Sequence, residues 1–348
     1  MYPRFGLTLT VTGACNLRCS YCYARTTPDS AMPREIGCTA IDRAVASLAP
    51  GGTLELGFFG GEPLLRADFV QAMMDYAQAR TEAAGMALAL SLTTNGTVTT
   101  PPAWAIMTRP DLSLAVSCDG LPETHDRHRR FANGDGSATT VVETIQRLVG
   151  AGKDFQVVMV VRPDTLDALP AGIRFLRELG VRHIDPSLDL WTQWTADDMA
   201  ALERVVGCCA ELWRAGLPDA SIGWFDEKAA KLARVPTTPT ARCSFGHGEV
   251  AVAPSGRLYP CERLIGDDAV DHPMAMSGHA LDGDDFLRDS GAGQRCADAC
   301  QACAMETMCN TFCRCSNYVR TGDVRRPDRL LCVWNQACLE ATAKAMNG

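Results

Sequence analysis

Between residues 5 and 185 the chain alternates apolar, strand-like runs with helical runs, and this rhythm restricts the fold more than any other feature. Strand runs are read at 5–11, 53–59, 86–93, 112–117, 155–161 and 183–185, with helical runs at 39–48, 67–84, 101–108, 139–151 and 166–179. Residues 121–136 read as a polar, Gly-containing loop. A strand followed by a helix, about six times over, implies a parallel α/β architecture. Polar and Gly-rich segments follow the strands: 15–22, 60–63, 94–96 and 117–120. In a (β/α) barrel such loops converge on one face, where ligands bind. Six units fall short of the eight that close a barrel. The expectation is therefore a partial (β/α)6 TIM barrel over residues 1–190, with an open side that admits a large substrate.

Beyond the barrel, residues 195–215 read as a helix containing Cys208-Cys209, a pair expected to pack as small hydrophobes. A Pro-containing connection follows at 216–240, so 191–240 is read as a bridging segment. From 241 to 348 helical runs shorten and cysteines recur every few residues, which marks a small cysteine-rich domain. The chain has seventeen cysteines in all, an odd number that cannot be fully paired within one chain. They fall into a group at 15–22 and another at 243–332, with few between. Residues 1–10 lack a basic leader and a cleavage site, so no secretory signal is expected and the chain reads as cytoplasmic. Disulfides do not persist in a reducing cytoplasm, so clustered cysteines there point to metal. A net charge of −8 argues against general nucleic-acid binding, and no stretch has the apolar length needed to span a bilayer.

Cys15, Cys19 and Cys22 form a C-x3-C-x2-C loop, with the nearest fourth thiol at Cys38. Three thiolates suit a [4Fe–4S] cluster that keeps one iron open, as a catalytic centre requires. A disulfide, or a three-thiolate zinc site with a distant fourth ligand, is the structural alternative. Gly60-Gly61-Glu62-Pro63 allows close backbone approach and offers a carboxylate to an ammonium, although alone it reads as a turn.

Together these residues resemble the radical S-adenosylmethionine (SAM) enzymes. The cysteine loop resembles their cluster loop and Gly60–Pro63 their Gly-Gly-Glu-Pro element. Residues 116–120 and 125–129 resemble the S-x-D-G and H-D-x-x-R segment of peptide- and protein-modifying members. The C-terminal region resembles the SPASM domain: Cys243 and Cys261 flanking Gly256, then Cys300-x2-Cys303-x5-Cys309-x3-Cys313, then Cys332. The residues 310–312 depart from it, since many relatives carry glycines there.

The resemblance implies three [4Fe–4S] clusters and bound SAM, whose reductive cleavage yields a 5′-deoxyadenosyl radical. It implies that Cys15, Cys19 and Cys22 hold the SAM-binding cluster. Gly60, Gly61 and Glu62 would hold the SAM amino group, Ser117 its ribose or carboxylate, and Arg129 its carboxylate, with Tyr21 near the adenine. A surface position is the alternative for Arg129. Cys300, Cys303, Cys309 and Cys332 would hold one auxiliary cluster. Cys243, Cys261 and Cys313 would hold three corners of another, whose fourth ligand is open among His247, Cys296, Cys315 and a substrate thiol. Glu262 stands where sulfatase-maturing relatives carry an Asp thought to deprotonate substrate. It is a candidate general base, or else a surface partner of Arg263 or Arg257.

The implied function is oxidative modification of a peptide or protein side chain (a cross-link, thioether or dehydrogenated residue), as in maturation of ribosomal peptides. Alternatives are an anaerobic sulfatase maturase, a small-molecule radical SAM dehydrogenase and, outside enzymes, a zinc-stabilised interaction protein. An electron donor such as flavodoxin or ferredoxin is implied. With the barrel starting almost at Met1, leader recognition would need a separate protein or a groove on this chain.

Overall fold

The structure is a computed structural model that describes residues 1–234, 245–287, 300, 302–303, 305, 308–309 and 313–347. These residues fall into two compact units, each assembled from separated stretches of sequence. The first contains 1–116, 129–154 and 245–287, and the second contains 117–128, 155–234 and the described residues from 300 onward. The boundary expected at residue 190 thus lies inside the second unit.

In the first unit the strands are β1 (Tyr2–Thr10), β2 (Leu48–Phe59), β3 (Ala87–Thr94), β4 (Leu112–Ser117), β8 (Glu249–Val252) and β9 (Leu258–Tyr259). Their order is β4-β3-β2-β1-β8-β9. All neighbours are parallel except β8 and β9, which form an antiparallel pair. Period-two alternation explains the register: Phe5, Leu7 and Leu9 are fully buried on one side of β1, and Leu54, Leu56 and Phe58 match them on β2. Helices α1 (Arg34–Ala46) and α2 (Ala67–Ala84) contribute Ile36, Ala40, Ile41 and Phe69, Val70, Met73 to the same core. Helices α3 (Pro101–Met107) and α5 (Ala138–Gly150) complete the unit.

The second unit contains β5 (Phe155–Val161), β6 (His183–Leu188) and β7 (Ser221–Ile222), all parallel, with β6 central. Its helices are α4 (Pro122–His128), α6 (Leu169–Glu178), α7 (Ala196–Gly216), α8 (Gly223–Leu232), α9 (Arg314–Thr321) and α10 (Arg329–Asn347). Helix α7 starts with a reciprocal capping box between Thr195 and Asp198. Helix α10 packs on both α7 and α8.

Two segments differ from the sequence reading. Residues 122–128 are helical rather than loop, because Pro122 suits a first helical turn and His125 and His128 provide the buried face. The expected connection at 216–240 contains β7 and α8, whose buried Trp224, Phe225 and Lys228 supply a core face that its polar composition hides. No helix of the described residues is long and apolar enough to cross a membrane.

Candidate active site

At the end of β1 the backbone turns into the cysteine loop, which the first unit grips from several directions. Gly61 N donates to Thr12 O at 2.8 Å and Glu62 N to Ala14 O at 2.9 Å. On the other side, Arg18 N donates to Arg130 O at 2.7 Å, and Leu17 bridges Phe131. The glycine pair is needed for this contact. A Cβ on Gly61 would stand 2.3 Å from Ala14 O, and one on Gly60, whose φ is +139°, would stand 2.4 Å from Thr12 O. The close approach that the sequence suggests is therefore made to the cysteine loop itself.

Cys19 is buried, Cys15 and Cys22 are half-buried, and all are free thiols. Cys22 N donates to Cys19 O at 3.2 Å, which closes the turn between them. Burial pushes the Cys15 thiol up to about 11, and the nearby Glu62, Cys19 and Cys22 push in the same direction. Binding iron must displace that proton. Among the described residues no three His, Cys, Asp or Glu side chains converge tightly enough to hold a single metal ion. Cys15, Cys19 and Cys22 offer three soft thiolates on one short loop, a donor set that suits a [4Fe–4S] cluster.

Glu62 is completely buried. Its carboxylate accepts from Leu64 N at 3.0 Å, Thr94 Oγ1 at 2.9 Å and Asn95 N at 2.7 Å. Burial nevertheless pushes its pKa up to about 7, opposed by these donors and by the charge of Arg129. Arg129 is itself buried, and its guanidinium lies 5.4 Å from the centre of the Tyr21 ring. The first unit thus gathers Tyr21, Glu62 and Arg129 beside the cysteine loop.

Asn95 belongs to this group and was read in sequence only as part of a turn. Its amide donates to Asn16 Oδ1 at 2.9 Å and approaches Cys15 Sγ at 3.7 Å. The available signal was its place in Thr94-Asn95-Gly96, directly after a strand.

Cys261 follows β9 in the same unit and is buried. Glu262, half-buried, opens a single 3-10 turn, with Oε2 3.5 Å from Cys261 Sγ. Just beyond, Gly266 O accepts from Thr27 Oγ1 at 2.8 Å, which fastens this segment to the one after Cys22. Tyr23 stacks on Phe59 with ring centres 6.4 Å apart. Burial raises its phenol pKa, and the charge of Glu262 adds to that rise. Arg257, one expected surface partner of Glu262, is engaged elsewhere, donating to Asp268 O at 2.6 Å.

Of the remaining site residues, His247 lies in the first unit, and the others fall in the second unit or outside the described residues. Ser117 is buried at the end of β4. Asp119 accepts from Val160 N at 2.9 Å, which gives it a bracing role at the start of the loop. Burial raises the Cys332 thiol pKa, and the fields of Cys309, Cys300, Asp328 and Cys303 raise it further. Four soft donors with overlapping fields fit an auxiliary cluster. Cys313 Sγ lies 3.2 Å from Cys315 Sγ. Cys243 and Cys296 lie outside the described residues. His247 contacts the Tyr2 hydroxyl at 3.3 Å, at the beginning of β1.

Comparison with known proteins places this geometry. Residues 9–176 match the family described as the Radical SAM superfamily. An uncharacterised protein of Methanocaldococcus jannaschii is 29% identical over 184 residues, 53% of this chain and 62% of that protein. A cysteine-type anaerobic sulfatase-maturating enzyme of Clostridium novyi is 25% identical over 73% of this chain and 72% of its own. A PqqA peptide cyclase of Bradyrhizobium diazoefficiens is 23% identical over 93% and 86%. Among solved structures, anSMEcpe with bound AdoMet superposes with a TM-score of 0.83 over 99% of both chains at 16% identity. SuiB of Streptococcus suis bound to its precursor peptide gives 0.63 over 94% and 76% at 13% identity. These structures share the fold of a partial barrel. In residues 9–176, just under half of its length, the chain is similar to the radical SAM superfamily.

Proposed function

We propose that this radical SAM enzyme acts on a peptide or protein and installs an oxidative modification on a side chain. The observation that carries the reading is the seam in the first unit. There, the segment bearing Cys261 and Glu262 is fastened beside the segment that follows Cys22. That arrangement brings Glu262 and Cys261 near the segment after Cys22, which supports reading them as a proton acceptor and an auxiliary-centre thiol. The relatives that span much of the chain include a peptide cyclase and a sulfatase-maturating enzyme, which supports a peptide substrate.

When bound, the loop cluster with SAM supplies a radical that removes a hydrogen atom from carbon, and auxiliary clusters supply an electron acceptor. Cys15, Cys19 and Cys22 hold the first cluster, and Cys300, Cys303, Cys309 and Cys332 hold an auxiliary one. Gly60, Gly61 and Asn95 fix the loop, while buried Arg129 and Tyr21 shape the space beside it. Ser117 is assigned to SAM binding. Cys243, Cys261 and Cys313 are assigned to the second auxiliary cluster. Glu262 takes the proton that the oxidised substrate releases.

The test uses the anaerobically reconstituted full chain with SAM and either dithionite or reduced flavodoxin or ferredoxin. Production of 5′-deoxyadenosine, and loss of two hydrogens from a peptide substrate by mass spectrometry, is expected. Turnover of small-molecule alcohols but of no peptide would overturn the substrate class. Glu262→Gln should abolish peptide product while leaving the iron content unchanged; full product formation would remove Glu262 from the mechanism.

Formylglycine formation is a second reading, favoured by the 25% identity to the Clostridium novyi sulfatase-maturating enzyme. A synthetic sulfatase-motif peptide carrying Cys or Ser decides it, since an aldehyde product is trapped by hydrazine reagents.

A further inference from the structure

Helix α8 buries a lysine. Lys228 is 1% exposed, and its ammonium donates to Asn335 Oδ1 of α10 at 2.8 Å. The ring of Trp334 lies 5.6 Å away, with Trp224 packed edge-on against it. An ammonium taken out of water is expensive unless an anion compensates it. Among the described residues, its hydrogen-bond partner is a neutral amide. The adjacent carboxylate, Glu227, lies 2.9 Å from Lys231. Cys338 is close, but burial pushes its thiol up to about 12, so it remains neutral. Burial lowers the Lys228 pKa, and Cys338, Glu227 and, more weakly, Cys309 oppose that shift. Asn335 lies one helical turn beyond Cys332 on α10.

We infer that Lys228 is the buried counter-cation of the centre formed by Cys300, Cys303, Cys309 and Cys332, and that it raises the reduction potential of a cluster held there. The inference rests on the reading of those four thiols as ligands of an auxiliary cluster. Reduction adds negative charge to a four-thiolate cluster, and a nearby cation screened little by solvent favours the reduced form. Lys228 acts through the cluster's surroundings and is a positioning residue, not a ligand.

The experiment is an anaerobic redox titration of the full chain followed by electron paramagnetic resonance. Cys15, Cys19 and Cys22 are replaced by Ala so that only auxiliary clusters respond. Lys228→Met should reduce the equilibrium constant for reduction of one cluster about tenfold, a fall of about 59 mV for a one-electron couple. Lys228→Arg should leave the midpoint near wild type, and iron and sulfide content should be unchanged in both. Should Lys228→Met fail to fold, Asn335→Asp decides instead, because a carboxylate on the same atoms neutralises the ammonium and should shift the midpoint the same way. Unchanged midpoints with full iron content overturn the proposal and leave the cluster assignment standing. Absence of any auxiliary signal in the background chain overturns the cluster assignment, and the proposal with it.

Discussion

Glu62 has protein donors on both carboxylate oxygens, so its first task is to tie the end of β2 to the end of β3. Its pKa of about 7 lies above its ordinary 4.5, so the folded chain retains a proton there that the unfolded chain has lost. The stabilisation from that proton is complete below about pH 4.5 and is lost as the pH rises through 7, a loss of up to about 3 kcal/mol. In metal-free protein, denaturant midpoints should therefore fall between pH 5 and 7.5 for wild type and less steeply for Glu62→Gln. Equal slopes would show that the carboxyl is not protonated in this window. Gly61→Ala drives a Cβ into the backbone at Ala14 and should cost about 1–3 kcal/mol and lower the iron bound per chain. Gly207→Ala in α7 meets open space and should leave iron content unchanged while raising the melting temperature. The cysteine loop was legible because its spacing is local. The duties of Glu62 and Asn95 were not, since their partners lie about 30 to 80 residues away in sequence.

Arg43 shows how one side chain organises an element. It is 2% exposed within α1 and donates to His279 O at 2.6 Å, Ala280 O at 3.1 Å and Asp285 O at 2.8 Å. Its guanidinium also lies 4.2 Å from the Phe286 ring centre. Three carbonyls, one of them buried and two half-buried, lose their donor in Arg43→Met, which should cost on the order of 3 kcal/mol. Deuterium exchange should then speed up at the amides of 279–286 while those of β6 stay protected. Uniform loss of protection would mean the whole chain had destabilised instead. At this scale the sequence reading of α2, β4 and β5 agrees with the structure, because long apolar periodicity leaves little choice of type or extent. It missed α4, whose buried face is built from His125 and His128, and α8, where Lys228 shares the buried face with Trp224 and Phe225. Polar residues that are buried by their partners carry no apolar signal.

Across the molecule, the alternation of strand and helix disclosed a parallel α/β fold, yet it did not disclose which distant segments complete each unit. Strand β8 pairs in parallel with β1 through Gly6–Leu9, so β1 is not a sheet edge. Phe286 stacks on Phe5 with ring centres 5.6 Å apart, and Phe286 N donates to Ser47 Oγ at 2.7 Å. The cysteine-rich part of the sequence thus supplies core contacts to the first unit as well as thiols. A fragment ending at residue 240 would expose the unpaired backbone of β1 and the apolar surface under 245–287, a combination that invites edge-to-edge association. Such a fragment should elute as aggregates, bind a hydrophobic dye and melt without a cooperative transition, even after reconstitution with iron and sulfide. A fragment that is monomeric, melts cooperatively and carries one cluster would show that residues 1–240 fold alone. The β8 pairing and the Phe286 contact would then be additions to a finished barrel rather than parts of its core.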